Sequence, residues 1–107
     1  MNITYKGKEY ELKYSFRSMM LFENITHQSF QTKTITDFTV FLYSILLSQS
    51  KEEVIDYNEF IDWLDENHDV FDAYVKWLLD VYTEQANKTP ENEELKKLTS
   101  LETESKN

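Results

Sequence analysis

The chain declares its architecture within its first twenty-five residues. Residues 3–25, ITYKGKEYELKYSFRSMMLFENI, read as a tight β-hairpin running almost directly into an apolar helix. Ile3 and Tyr5 alternate with Thr4 and Lys6. Beyond Gly7, Tyr10, Leu12 and Tyr14 alternate with Glu9, Glu11 and Lys13. Such period-two alternation marks strands with one buried face. Gly7 is the only glycine in the chain. A Gly7-Lys8 loop of type II′ would place it where the backbone needs positive φ. That register sets Tyr5 opposite Tyr10, Ile3 opposite Leu12 and Lys6 opposite Glu9. A lone hairpin is marginal in water, so helices must cover its apolar face. The expected fold class is α+β: an N-terminal antiparallel hairpin packed on a small bundle of about four helices.

Hydrophobic periodicity and capping residues predict helices near 15–25, 37–48, 58–66 and 68–86. Ser15 caps the first, where Phe16, Met19, Met20, Leu21, Phe22 and Ile25 cover more than half the circumference. Such a helix should be mostly buried. The polar stretch 26–35 reads as a loop anchored by Phe30 and Ile35. Thr36 caps the second helix, with Asp37 in a first turn that favours an anion. Its stripe of Phe38, Phe41, Leu42, Ile45 and Leu46 is flanked by Val40, Tyr43 and Leu47, which makes it the central helix. SerGlnSerLys at 48–51 ends it, and Val54 and Ile55 tuck a connector into the core. Asp56 and Glu59 have capping-box spacing and open a third helix carrying Phe60, Ile61 and Leu64. Asn67 caps the fourth, where Phe71, Tyr74, Val75, Leu78, Leu79 and Tyr82 repeat with clean helical period. Beside that stripe runs a second strip, Val70, Ala73, Trp77 and Val81.

At 107 residues the chain suits one domain. Residues 1–86 form it on this reading. Residues 87–107 lack aromatic residues and are expected as a mobile polar tail. Thr89-Pro90 offers an alternative helix start with Leu95 and Leu98 on one side. The longest apolar run, Phe38 to Leu47, falls short of a membrane span. No signal peptide is visible, so the expected compartment is cytoplasm. Three N-x-S/T matches, at Asn2, Asn24 and Asn87, then carry no meaning. There is no cysteine, which excludes disulfides, thiolate metal sites and a cysteine nucleophile.

The net charge of −9 is uneven. Residues 1–50 hold five Lys/Arg and four Asp/Glu, whereas Glu52 to Asp72 holds nine acids and no Lys or Arg. That argues against direct nucleic-acid binding. It suits a basic protein partner or simply a solvated face. An EF-hand read from Asp65 fails, because Val70 stands where Gly is needed and Lys76 where a bidentate Glu is needed. His27 and His68 are far apart without a second ligand at metal spacing, which suits surface or capping roles. Asp62 with Glu66, and Asp65 with Asp69, share helical faces. Without a cleft to shift their pKa values they read as solvated. One glycine cannot build a phosphate-cradling loop, and no nucleophile–base pair is visible. The expectation is a non-enzyme with no cofactor and no metal.

Trp63 and Trp77 are candidates for partner contact, since aromatic residues concentrate at interface hot spots. The competing reading puts both in the core. The expected contact surface is Val70, Ala73, Trp77 and Val81, with Trp63, Asp62 and Glu66 as further candidates.

Taken together, YKGKEYELKYSFRSMMLFENI, the polar loop with Phe30, TDFTVFLYSILL and DYNEFIDWLDENHDVFDAYVKWL resemble small tail assembly chaperones of long-tailed (siphovirus-like) bacteriophages. The resemblance spans roughly residues 2–85 and rests on order, size and texture. It implies a non-enzymatic protein of the infected bacterial cytoplasm, absent from the mature virion. It also implies two partners, the tape-measure protein and the tail-tube protein, and allows a homo-oligomer. In many such phages a longer form arises by frameshifting, and the polar tail here resembles that of the short form. The family has no positional motif to transfer. Other classes remain open: an acidic DNA-mimic inhibitor of a nucleic-acid-binding protein, motivated by the Glu52–Asp72 cluster, or a structural head-tail or tail component.

Overall fold

A computed structural model of the chain describes residues 1–50 and 54–88. Strands β1 (Asn2–Tyr5) and β2 (Lys8–Glu11) form an antiparallel hairpin. Helices α1 (Phe16–Thr26), α2 (Ile35–Gln49), α3 (Tyr57–Glu66) and α4 (His68–Lys88) follow. The fold is α+β, as the sequence predicts. The chain divides into two units at a boundary inside α4, the first Met1–Trp77 and the second beginning at Leu78. Of the expected tail, Asn87 and Lys88 belong to α4. Thr89, Pro90, Leu95 and Leu98 lie outside the described residues, as do Lys51, Glu52 and Glu53.

The hairpin corrects the expected turn. Ile3 pairs with Tyr10 and Tyr5 with Lys8, so the two-residue loop is Lys6-Gly7 rather than Gly7-Lys8. Both loop residues have positive φ, 50° and 78°. This is the pattern of a type I′ turn, whose twist matches that of the strands. The register differs from expectation by two residues, and side chains alternate with period two, so no face is exchanged. Ile3, Tyr5, Tyr10 and Leu12 are accordingly all buried.

Helix α1 is capped by Ser15, whose Oγ accepts from the Ser18 N–H. It is not the mostly buried helix that its composition suggests. Phe16 is 82% exposed and Met20 62%, with Ile25 also exposed. Its buried residues are Phe22 and the small Ser18, whose hydroxyl reaches those of Ser15 and Ser48. Among the described residues the neighbouring elements cover one stripe only, and Phe16, Met20 and Ile25 lie outside it. His27 closes the helix in the left-handed region, donating its N–H to the Glu23 carbonyl.

In the following loop Phe30 does anchor. Its ring meets Phe22 at 5.3 Å and Phe41 at 4.6 Å between centroids. Ile35 does not: it is 78% exposed. The cap of α2 is Thr34, two residues earlier than Thr36, and a full capping box forms with Asp37. The Asp37 carboxylate accepts from the N–H groups of Lys33 and Thr34, which satisfies a buried acid. Phe41, Leu42, Ile45 and Leu46 have no exposed surface, so α2 is the central helix. Phe38 is only half-buried. Thr39 and Ser44, also buried, return their hydroxyls to the carbonyls of Ile35 and Val40.

The connector places Ile55 in the core but leaves Val54 94% exposed. Asp56 caps α3 through the Glu59 N–H. The Glu59 carboxylate pairs with Lys6 of the turn instead of completing a box. Asn67 joins α3 to α4. Its side-chain amide donates to the Trp63 carbonyl, while its own carbonyl accepts from Val70 and Phe71. On α4, Tyr74 and Leu78 are fully buried, but Leu79, expected in the core stripe, is half exposed.

Candidate functional site

Three helical stripes of the first unit converge on one open groove of about 480 Å³. The capping box starts α2 at Ile35, so Ile35, Thr36 and Thr39 stand in its first turns at the groove edge. The Asp56 cap starts α3 at Tyr57, and Tyr57, Ile61, Leu64 and Asp65 then share a face at helical spacing. Asn67 ends α3 and sets His68, Phe71 and Asp72 on the first turns of α4. Helix α3 is two-sided. Phe60 and Trp63 turn to the hairpin, where they meet Tyr5 edge-on at 5.7 and 5.1 Å.

The walls are apolar: Ile35, Ile61, Phe71 and the Tyr57 ring. Asp65, His68 and Asp72 are exposed and also line it. Among the described residues no cation pairs with either acid, and the one ion pair is Lys6–Glu59 on the far side of α3. Among the described residues no group of three or more His, Asp or Glu side chains is arranged to hold a metal ion. The groove offers apolar contact and negative charge.

A smaller hollow of about 110 Å³ lies between the hairpin and the start of α3, bordered by Tyr5, Lys6, Tyr10, Ile55, Asp56 and Glu59. The Tyr5 hydroxyl is buried with no hydrogen-bond partner among the described residues. Burial pushes this phenol above its ordinary value, and the nearby Lys6 charge opposes the shift. Burial likewise raises Tyr43, whose hydroxyl donates to the Ile55 carbonyl at 2.5 Å, and Tyr57. The Lys6 ammonium is pushed up by its hydrogen bond to Glu59.

None of the residues expected to contact a partner lines the groove. Trp63 is half-buried between Tyr5 and Phe60, its ring stacked on the latter at 6.0 Å. Trp77 is half-buried and stacked on Tyr74 at 6.4 Å. Val70 and Val81 are half-buried, and Ala73 is exposed. Asp62 and Glu66 are exposed on the outer face of α3. The sequence reading missed Ile35, Ile61 and Phe71 as groove walls. The i, i+4, i+7, i+8 spacing of Tyr57, Ile61, Leu64 and Asp65 was the available signal. No known protein family, curated protein or solved structure compared with the chain matches it. No helix among the described residues is long and apolar enough to cross a membrane.

Proposed function

We propose that this protein is a non-enzymatic tail assembly chaperone of a long-tailed bacteriophage. It acts in the cytoplasm of the infected cell, binding the tape-measure protein and recruiting tail-tube subunits. The observation that carries the reading is the acid-edged apolar groove on a small α+β body. A tape-measure protein exposes apolar helical surface until the tube encloses it. Reversible cover of such a surface needs an accessible apolar groove and no chemistry. The order hairpin, helix, polar loop, central helix and two closing helices agrees with the order on which the resemblance rests.

Co-expression with the tape-measure and tail-tube proteins of the same phage tests the proposal. The chain should co-purify with the tape measure and be absent by mass spectrometry from purified virions. No co-purification, or stoichiometric presence in virions, overturns it; the latter would favour a structural tail component. A second reading draws on one observation: Asp56, Glu59, Asp62, Asp65, Glu66, Asp69 and Asp72 are all exposed. An acidic inhibitor of a nucleic-acid-binding protein would present such a face. Its binding would be competed by DNA and collapse steeply with salt.

A further inference from the structure

From the charge and shape of the groove we infer that its occupant is an amphipathic helix whose apolar ridge is bordered by Lys or Arg. Apolar walls from Ile35, Ile61 and Phe71 accept the ridge of a helix presenting residues at i, i+3 and i+4. Asp65 and Asp72, unpaired among the described residues, both line that groove beside its apolar walls. A ligand with cations beside its apolar anchors satisfies both at once. A ligand with Glu or Asp there meets like charge, which costs affinity as well as association rate. Ile35 strengthens the case. At 78% exposure it contributes little to the fold and stands free to contact a ligand. That this helix belongs to a tape-measure client rests on the function proposed above. The preference for a basic amphipathic helix does not.

Three synthetic peptides of about 18 residues, roughly 27 Å as helices, provide the probe. One carries a Leu ridge flanked by Lys, one a Leu ridge flanked by Glu, and one Ser in place of Leu with the same Lys residues. Affinity is read by fluorescence anisotropy and location by amide shifts in nitrogen-15 spectra of the full chain. The Leu/Lys peptide should bind at least ~10-fold more tightly than either control. The largest shifts should fall at Ile35, Ile61 and Phe71. The Asp65→Lys/Asp72→Lys variant should lose at least ~10-fold, and Ile35→Ser ~5-fold or more. The control pair Asp62→Lys/Glu66→Lys should stay within ~3-fold of the parent. Circular dichroism confirms that these surface variants fold. Equal binding of the Leu/Glu peptide, equal loss in the control pair, or shifts elsewhere overturns the inference. If the groove variants lose the peptide but still retain the tape measure fully, the groove is not the client contact, and the chaperone reading stands without it. If the Leu/Lys peptide seats in the groove but no tape measure co-purifies, the groove's preference stands and the chaperone reading fails.

Discussion

Phe16 and Phe22 lie on one short helix, and their truncation should have very unequal consequences. Phe22 has no exposed surface, and its ring meets Phe30 edge-on at 5.3 Å with an interplanar angle of 88°. Phe30 in turn rests on Phe41 of the central helix at 4.6 Å. Phe22→Ala therefore removes the keystone between α1, the loop and α2. Truncating a buried Phe costs about 3–5 kcal/mol, of which about 0.5–1.5 kcal/mol is the aromatic pairing beyond buried area. Phe16 is 82% exposed. Its replacement by Ala should stay within about 0.5 kcal/mol of zero, with the better helix propensity of Ala offsetting any lost contact. Urea titration followed by circular dichroism measures both. Because domains of this size hold only about 5–15 kcal/mol in total, Phe22→Leu, which loses the ring contact but keeps a large apolar side chain, serves as a gentler companion and should cost less than Phe22→Ala. A Phe16→Ala loss above about 1 kcal/mol, or a Phe22→Ala loss below it, would refute the one-sided packing of α1.

Tyr5→Phe keeps the ring contacts to Phe60 and Trp63 and deletes a hydroxyl that has no partner among the described residues. It should be neutral or stabilising by up to about 1–2 kcal/mol, and a melting temperature several degrees lower would mean the hydroxyl is satisfied. Gly7→Ala meets no neighbour within 4 Å but must hold φ at +78°. It should cost about 1–2 kcal/mol through conformation alone, read by the same titration, and Gly7→Asn should cost less. Burial raises Tyr5, Tyr43 and Tyr57 above the ordinary phenol value of 10.0. The folded state thus holds these protons more tightly than the unfolded chain, so their contribution is intact below that value and is lost as pH rises through the folded values. The tyrosine contribution to melting temperature, with phenolate absorbance followed in parallel, should be lost on the alkaline side; phenolate forming near neutrality would contradict it.

The fold was legible wherever one residue type could serve only one purpose. Alternation around Gly7 marked the hairpin and its buried face, because side-chain period survives a two-residue error in register. The turn itself was not legible, since Lys6 in the left-handed region is favoured by strand twist and not by its own preference. The stripe of α2 was legible because a helix apolar on most sides has to be central. Helix α1 was misread for the converse reason. Counting apolar residues cannot tell how many neighbours a helix will meet. Ser18, polar by type, fills the close approach to Ser48, while Phe16 faces water.

The groove was hidden for a different reason. No single element contains it. Ile35 read as a loop anchor, Ile61 as ordinary core, and Asp65 and Asp72 as part of an acidic run, either solvated or facing a basic partner. Only the helix starts bring them together, and those depend on caps. Thr34 and Asp37 have the capping-box spacing that located α3 through Asp56 and Glu59. Applied two residues earlier, that rule moves Ile35 from the loop into the first turn of α2, beyond the reach of the core stripe that begins at Phe38. An isoleucine there, with a second apolar face on α3 and a short α3–α4 junction at Asn67, leaves apolar surface that no other described residue covers. The acids complete the argument. The same charges that read as solubilising along the sequence become directional once Asp65 and Asp72 border an apolar wall. They then select the sign of the ligand that the wall can hold.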